Sequence, residues 1–262
     1  MFLSNLTELT MSQGYRRFFK VVPALTDELR AENYRIRHEV YCRELGFEAE
    51  RPEGLEADDF DAHAVHCLVQ SVSSDLYVGC ARLVLVDPAR PQAPLPFETS
   101  CEATLDRSIV DPMAIDRSRI AEISRLAVVG SYRRRQGEQD RPISLSDDDF
   151  GSQRRPRQPY LALAVYLGLI SLARHYGITT LFVLTERRLA TNLSRLGVRL
   201  QTIGGEIEHR GTRVPSMLSV EEVIGGMNFL ARTLFEVIAH EVKDSLEASG
   251  RQAVGATGRP LA

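Results

Sequence analysis

Lysine is almost missing from this chain. Lys20 and Lys243 are the only two among 32 basic residues, so arginine carries nearly all the positive charge. Genomic base composition accounts for such a skew; where arginines cluster, recognition of carboxylate or phosphate by guanidinium forks is the alternative. Cysteine is scarce too. Cys42, Cys67, Cys80 and Cys101 form no C-x-x-C pair, which excludes a disulfide framework and points to reduced, mostly buried thiols in a cytoplasmic protein. No apolar run reaches 18 residues, so no membrane span is expected. The short apolar start, Met1–Leu6, lacks the basic flank of a signal peptide. The formal net charge is only −3, which argues against nucleic acid as a partner. What remains is an ordinary globular composition: 262 residues, 44% hydrophobic and 26% charged. That suffices for one large domain with extensions and a sizeable core.

Residues 1–14 read as a flexible leader. Tyr15–Val22, aromatic and β-branched, reads as a first strand ended by Pro23. Thr26 or Asp27 caps a helix to about Leu45, with Leu29, Ile36, Val40 and Leu45 at roughly helical period and Gly46 closing it. An acidic loop spans 51–62. His66–Gln70 and Tyr77–Val86 read as a hairpin, and the proline-bearing stretch 87–118 as a long connection with short helical pieces. Ile120–Val129 is the next strand. Residues 131–158 are polar, charged and punctuated by glycine and proline, the composition of a mobile insertion. Tyr160–Tyr176 is apolar on most faces and reads as a buried helix. Strand Thr179–Leu184, helix Glu186–Leu196 and strands Val198–Ile203 and Thr212–Leu218 follow. Ser219 and Glu222 stand at capping-box spacing and open a helical extension over 219–247, with Gly225 and Gly226 interrupting it; 248–262 reads as a disordered tail. Strands alternating with helices over 15–218 imply an α/β or α+β domain with a central mixed sheet.

Three segments carry candidate chemistry. They are Arg37-x3-Tyr41-x5-Phe47, Glu56-x-Asp58-x2-Asp61 and Glu122-Ile-Ser-Arg125, with Arg82 and Phe97 between the last two. Singly, each has a plain reading as surface charge. Together, Arg37, Arg82 and Arg125 match the four carboxylates as an ion-pair cluster, which either locks a fold or lines a polar cleft. Glu122 and Arg125 are three apart in a strand, so they face opposite ways unless a β-bulge intervenes.

The ordered series Arg-x3-aromatic-x5-aromatic, Glu-x-Asp-x2-Asp, G-x-ARL around Arg82, Phe97 and Glu-x-Ser-Arg resembles the acyl-homoserine-lactone synthases over about residues 30–130. Tyr41 and Phe47 stand where those synthases are expected to have phenylalanine and tryptophan, and the chain is longer. Both departures favour a sister group, the acyltransferases associated with the exosortase/PEP-CTERM sorting system, which are similar to N-acyl amino acid synthases. The resemblance implies a GNAT-like acyl-CoA N-acyltransferase fold. It implies transfer of a fatty acyl group from acyl-carrier protein or acyl-CoA to an amine, with no tightly bound cofactor and no metal. Arg134-Arg135-Gln136-Gly137 resembles the pyrophosphate loop of that superfamily, although the insertion splits it from the helix at Tyr160.

A direct transfer needs a base for the amine, donors for the tetrahedral oxyanion, and alignment of both substrates. Glu56 and Glu122 are the first candidates for the base, with Asp58 and Asp61 binding the amine and Arg125 completing the catalytic group. Arg37, Arg82, Tyr41, Phe47 and Phe97 are the expected substrate-binding residues. For the acyl carrier the expectation is the backbone of Leu126, Val128 and Val129 together with Arg133, Arg134 and Arg135; an acidic acyl-carrier protein also suits Arg154, Arg155 and Arg157. Cysteine chemistry through Cys42 or Cys67 has no local signature. Asp61, His63 and His66 lack a second ligand pair for a metal. The non-enzymatic alternative is a GNAT-fold module that binds acyl carrier or lipid without turnover.

Overall fold

The computed structural model describes residues 12–132 and 160–257. Eight strands form one sheet system: β1 (Phe19–Pro23), β2 (Ala64–Ser71), β3 (Tyr77–Leu85), β4 (Ile120–Val128), β5 (Thr180–Thr185), β6 (Gln201–Thr202), β7 (Ile207–Glu208) and β8 (Thr212–Ser219). Their order is β1-β2-β3-β4-β5-β8-β6, with β7 also on β8. Every pairing is antiparallel except β4 with β5, which run parallel from Ile120↔Thr180 only as far as Ile123↔Val183. A parallel neighbour needs a crossover connection, and α4 (Tyr160–His175) stands on that connection. Beyond Ile123 the two strands have no pairing, so the sheet splits into a V at its centre.

The first helix, α1, spans residues 12–18, where a strand was expected from Tyr15. The aromatic signal had a different cause. Tyr15 is buried, and its hydroxyl donates to Glu241 Oε2 at 2.7 Å. The same carboxylate accepts the N–H of Val21 on β1 at 3.0 Å. Glu241 lies on α7 (Phe229–Thr257), which thereby covers edge strand β1 and continues past the expected end near residue 247. Thr26 caps α2 (Asp27–Arg37) by accepting the Leu29 N–H at 3.3 Å. The helix then widens into a π-helical turn over His38–Glu44. The long connection holds α3 (Pro96–Ser100) and short 3-10 turns. Strand Val198–Ile203 shrinks to β6, and hairpin β7–β8 was not anticipated. After α5 (Arg187–Arg195) and β8 comes α6 (Val220–Gly226), whose cap Ser219 accepts the Glu222 N–H at 3.3 Å. The expected insertion 131–158 lies, apart from Ser131 and Tyr132, outside the described residues, as do 1–11 and 258–262.

One face of the sheet carries α4 and α7 and the main core, including Val21, Leu83, Ile123, Leu167 and Ile238. The other carries α2 and the π-helical turn that follows it, packed through Ile36, Val40 and Tyr41 on Leu68 and Ala127. No helix among the described residues is long and apolar enough to cross a membrane. Gly168 lets α4 sit close: a Cβ there would come within 2.8 Å of Cys67 Sγ and 2.9 Å of Val21 Cγ1. Both neighbours are buried in β-strands and cannot swing aside. We expect Gly168→Ala to lower the unfolding free energy by about 1–3 kcal/mol despite the better helix propensity of alanine. Chemical denaturation checks this, and an unchanged or raised midpoint would mean that α4 lifts freely from the sheet.

Candidate active site

The acidic loop becomes a small scaffold. Asp58 and Asp61 form a reciprocal capping box: the Phe60 N–H donates to Asp58 Oδ1 at 3.0 Å and the Asp58 N–H to Asp61 Oδ2 at 2.8 Å. The Glu56 N–H donates to the Tyr34 carbonyl at 3.0 Å, which fixes the loop on α2. Arginines from three elements enter it. Arg37, at the end of α2, is fully buried; its Nε binds Glu56 and its Nη1 binds Asp61 Oδ1 at 2.7 Å. Arg82, on β3, takes Asp58 in a two-pronged grip (2.6 and 2.9 Å), reaches Asp61 at 2.8 Å, and donates from Nε to Ser124 Oγ at 3.0 Å. Arg125, on β4, lies 3.2 Å from both Glu56 Oε1 and Asp58 Oδ2 and 3.5 Å from Glu48 Oε1. Burial alone would raise the two aspartates. The hydrogen bond and charge of Arg82 nevertheless hold Asp58 below the ordinary range, and those of Arg37, with Arg82, hold Asp61 far below it.

Arg125 reaches this face through a bulge. Arg82 pairs with Ser124 and Cys80 with Ala127, so two steps along β3 span three along β4. Arg125 takes φ 52°, a left-handed conformation that costs a non-glycine residue on the order of 1–2 kcal/mol. The Tyr41 hydroxyl donates to the Leu126 carbonyl at 2.9 Å, and the Arg125 guanidinium lies over the Tyr41 ring at 5.7 Å. The π-helical turn thus sets Tyr41 against the bulge.

The bulge opens on a cleft of about 310 Å³ in the split between β4 and β5. Asp58, Arg82, Glu122 and Arg125 line it, with Tyr41 and Phe47 from one side and Tyr166, Val183, Leu184 and Leu189 from the other. Glu122 is the odd carboxylate. Burial pushes it up to about 8, against the opposing effects of the Phe97 N–H, Arg82 and Arg125. The Phe97 N–H donates to its Oε2 at 2.7 Å. A second, narrow apolar cavity of about 20 Å³ lies behind, under α4; Ile123, Tyr166 and Val183 line both spaces.

Residues 36–140 match the family model described as the acetyltransferase (GNAT) domain. This is the GNAT fold. With that domain comes the enzyme class, an acyltransferase. Among solved structures, MesI, a CoA-dependent acyl-homoserine lactone synthase, superposes with TM-score 0.54 at 22% identity, over 83% of this chain and 95% of that one. LasI, an acyl-homoserine lactone synthase, gives TM-score 0.53 at 16% identity over 80% and 95%. FeeM, an N-acyl amino acid synthase from uncultured soil microbes, gives 0.51 at 13% over 81% and 96%. At these identities the likeness is one of fold. No curated protein sequence matches the chain.

Within the GNAT frame the expected site residues divide. Asp58, Arg82, Glu122, Arg125, Leu126, Tyr41 and Phe47 line the cleft. Glu56 does not: it is buried and bound by Arg37 and Arg125, so it is no free base. Arg37 and Asp61 stand behind the wall as positioning groups. The Phe97 ring stacks on Phe182 at 4.4 Å within the core, and its contribution is its backbone N–H to Glu122. Val128 is buried in the core and pairs with Gly79 on β3, and the Val129 N–H is bound by the Val78 carbonyl at 3.0 Å, so the Val129 amide is not free to donate to a carrier. Arg133, Arg134 and Arg135 lie outside the described residues, as do Arg154, Arg155 and Arg157. Cys42 and Cys67 are buried free thiols, with Cys67 held well above its ordinary value by burial. Ser124 stood in the Glu-x-Ser-Arg motif without a role assigned to it, and Glu48 and the cleft residues His209, Arg210 and Arg213 of the last hairpin were not expected at the site. The only signal for that hairpin was a glycine among charges between two short β-prone runs.

Two stability predictions follow from the cluster. Arg37→Met should destabilise the fold by about 3–5 kcal/mol, because it strands Glu56 and Asp61 in the interior. Arg43→Met, whose partners are exposed, should change it by less than about 1 kcal/mol. Denaturation at neutral pH reads both, and a mild effect at Arg37 would show that the network relaxes. Glu122 sets a pH dependence. Its folded value lies above the ordinary 4.5, so its contribution is fully present below about pH 4.5 and is lost as pH rises through about 8. Glu122→Gln should therefore gain stability relative to wild type across that window; parallel pH curves for the two proteins would contradict the buried, proton-holding Glu122.

Proposed function

We propose that this acyltransferase moves a fatty acyl group from an acyl-CoA or acyl-carrier-protein thioester to the nitrogen of an amine such as an amino acid. The observation that carries the reading is Glu122: a carboxylate buried at the floor of the β4–β5 split, pushed up to about 8 and bordering the cleft beside the Asp58–Arg82–Arg125 wall. The thioester lies in the split, where β4 beyond Ile123 is unpaired with β5 and offers backbone groups to an extended donor arm. Arg125 and Leu126 also have no partner in the β3 register, and their N–H groups are our candidates for the oxyanion donors. Asp58 attracts the acceptor ammonium. Glu122, directly or through a water, takes its proton. The amine nitrogen bonds to the carbonyl carbon, the tetrahedral intermediate collapses, the C–S bond breaks, and the thiolate leaves to be protonated.

A carboxylate near pKa 8 is a far stronger base than an ordinary one, and its ionised fraction grows as pH rises from 7 toward 8, so the reaction speeds up over that range. The apolar side of the cleft, continued by the cavity under α4, supports a fatty rather than an acetyl donor. Because that cavity is narrow, a long tail requires Tyr166 or its neighbours to shift. The link to exosortase-dependent sorting and the docking of an acyl-carrier protein rest on the sequence resemblance alone.

The test is thiol release from a panel of acyl-carrier proteins and acyl-CoAs. Pooled amino acids and S-adenosylmethionine serve as acceptors, and products are identified by mass spectrometry. An N-acyl product is expected; acceptor-independent release would refute the reading in favour of thioester hydrolysis, and absent release from folded protein would refute it in favour of a non-catalytic carrier-binding module. For the active protein we expect Glu122→Gln to lower kcat by about 10²–10⁴-fold and to abolish an inflection in kcat/KM near pH 8. Retention of that inflection in the variant would assign the base elsewhere.

A further inference from the structure

Glu122 accepts the Phe97 N–H at 2.7 Å, so its surroundings depend on the segment that carries Phe97. That segment cannot support itself. Pro88, Pro91, Pro94 and Pro96 have no N–H to give, and no strand or helix forms between β3 and α3. The buried carbonyls of this arch need donors from outside it. Arg117 supplies them. Its Nε donates to the Pro91 carbonyl at 3.2 Å and its Nη2 to the Ala93 carbonyl at 2.7 Å. Its Nη1 lies 2.8 Å from Glu98 Oε2, and the same oxygen accepts the Leu95 N–H at 2.8 Å. Arg117 and Glu98 are both buried. The base of Arg117 is held as well. Asp116 accepts the Ser118 N–H at 3.0 Å, and the Arg119 carbonyl accepts the Thr179 N–H at 2.9 Å beside β5. One guanidinium therefore ties the arch to the turn that opens β4, the strand of Glu122 itself.

A buried pair of this kind is a weak source of net stability, since apolar residues of the same volume would hold the arch about as well. What the fork adds is direction: a planar guanidinium fixes several acceptors at once, which the point charge of a lysine does not. The arch has two sides. Pro96 and Thr99 of α3 face the cleft, while Arg117 grips the arch from outside it. The charged and titratable groups around Glu122 are Arg82 on β3, Arg125 on β4, and Glu98 and the Cys101 thiol from the α3 segment; β5 presents the uncharged Phe182. The contact at hydrogen-bond distance is the Phe97 amide.

We propose that Arg117 is a positioning residue for Glu122: together with Glu98 it fixes the proline arch so that the Phe97 amide stays on the Glu122 carboxyl group. The proposal rests on the acyl-transfer reading for its catalytic meaning, because that reading makes Glu122 the base. The placement of the amide does not depend on it. Arg117 acts through the arch and touches neither substrate nor Glu122.

Direct titration of Glu122 tests this without turnover. The full chain carries carbon-13 in its glutamate carboxyl groups, and the Glu122 signal is assigned by its loss in Glu122→Gln. Two variants remove the fork and leave the net charge of the pair unchanged: Arg117→Lys, and the double variant Arg117→Gln/Glu98→Gln. Neither strands a buried charge. Loss of a hydrogen bond to the ionised form raises a carboxylate, so we expect the titration to move up by about one pH unit in both. Hydrogen exchange at the Phe97 amide should quicken by about tenfold or more. Arg107→Gln removes an exposed ion pair with Asp111 in the same connection and should change neither reading. An unmoved Glu122 titration in either folded variant, a Phe97 amide as protected as in wild type, an equal shift in Arg107→Gln, or failure of both variants to fold would each overturn the proposal. Thiol release measured in parallel judges the acyl-transfer reading separately: a shifted titration in a protein that transfers no acyl group upholds the positioning and refutes that reading.

Discussion

The buried guanidinium of Arg37 is the constraint from which the site is built. It joins the end of α2 to the loop that carries Glu56, Asp58 and Asp61, and through those carboxylates to Arg82 on β3 and Arg125 on β4. An ion cluster at this depth is not a net source of stability, because desolvating each charge costs several kcal/mol that the pairing only offsets. What it fixes is geometry. Four segments distant in sequence are held at hydrogen-bond distances. Even so, satisfaction is incomplete: Arg37 Nη2 is buried without a hydrogen-bond partner, 4.0 Å from Asp58, and both ring nitrogens of His66 are likewise unpartnered. Burial pushes His66 down to about 4, so the cluster meets a neutral imidazole and not a further cation.

Two kinds of carboxylate thus stand near one another. Asp58 and Asp61 face arginines at bonding distance and stay ionised. Glu122 has only a backbone N–H on it, with the same arginines acting from farther away, and it keeps its proton to about pH 8. The difference arises from position on the strand. Ser124, not Glu122, is opposite Arg82 in the β3–β4 register and takes its Nε–H. The ring of Phe97 stacks on Phe182, and Phe182 is the β5 residue paired with Glu122. The aromatic pair therefore excludes water from Glu122 while the Phe97 amide orients it.

Much of this was legible in the sequence, for identifiable reasons. Period and capping placed α2, the hairpin β2–β3, α4 and the start of α6, because each buries a full face and has its stop or start residue in the chain. The charge match among Arg37, Arg82, Arg125 and the Glu-x-Asp-x2-Asp loop anticipated the cluster, since buried charges must find partners. Roles within it were less legible. Glu56 and Asp58 are two residues apart, and nothing local says which faces the cleft; the answer lies in the reach of Arg37 from one side and Arg82 from the other. Tyr15 looked like a strand residue because its true partner, Glu241, is more than two hundred positions away. The strand at β8 was anticipated over Thr212–Leu218, but its pairing into a hairpin was missed because the two residues of β7 leave no periodicity to read.

The bulge at Arg125 explains why the cleft is where it is. Without it, Glu122 and Arg125 would lie on opposite faces, and Arg125 would point into the apolar layer under α4. One extra residue returns Arg125 to the polar face and brings Leu126 to the core side. It also bends β4 away from β5 just beyond Ile123↔Val183, the last pair they share. Opening the sheet and assembling the charged wall are therefore one structural event, stabilised by the Tyr41 hydroxyl on the Leu126 carbonyl. A phenylalanine at position 41 would retain the ring that faces Arg125 and Arg210 but release that carbonyl, so the hydroxyl of Tyr41, and not its ring alone, ties the π-helical turn to the bulge.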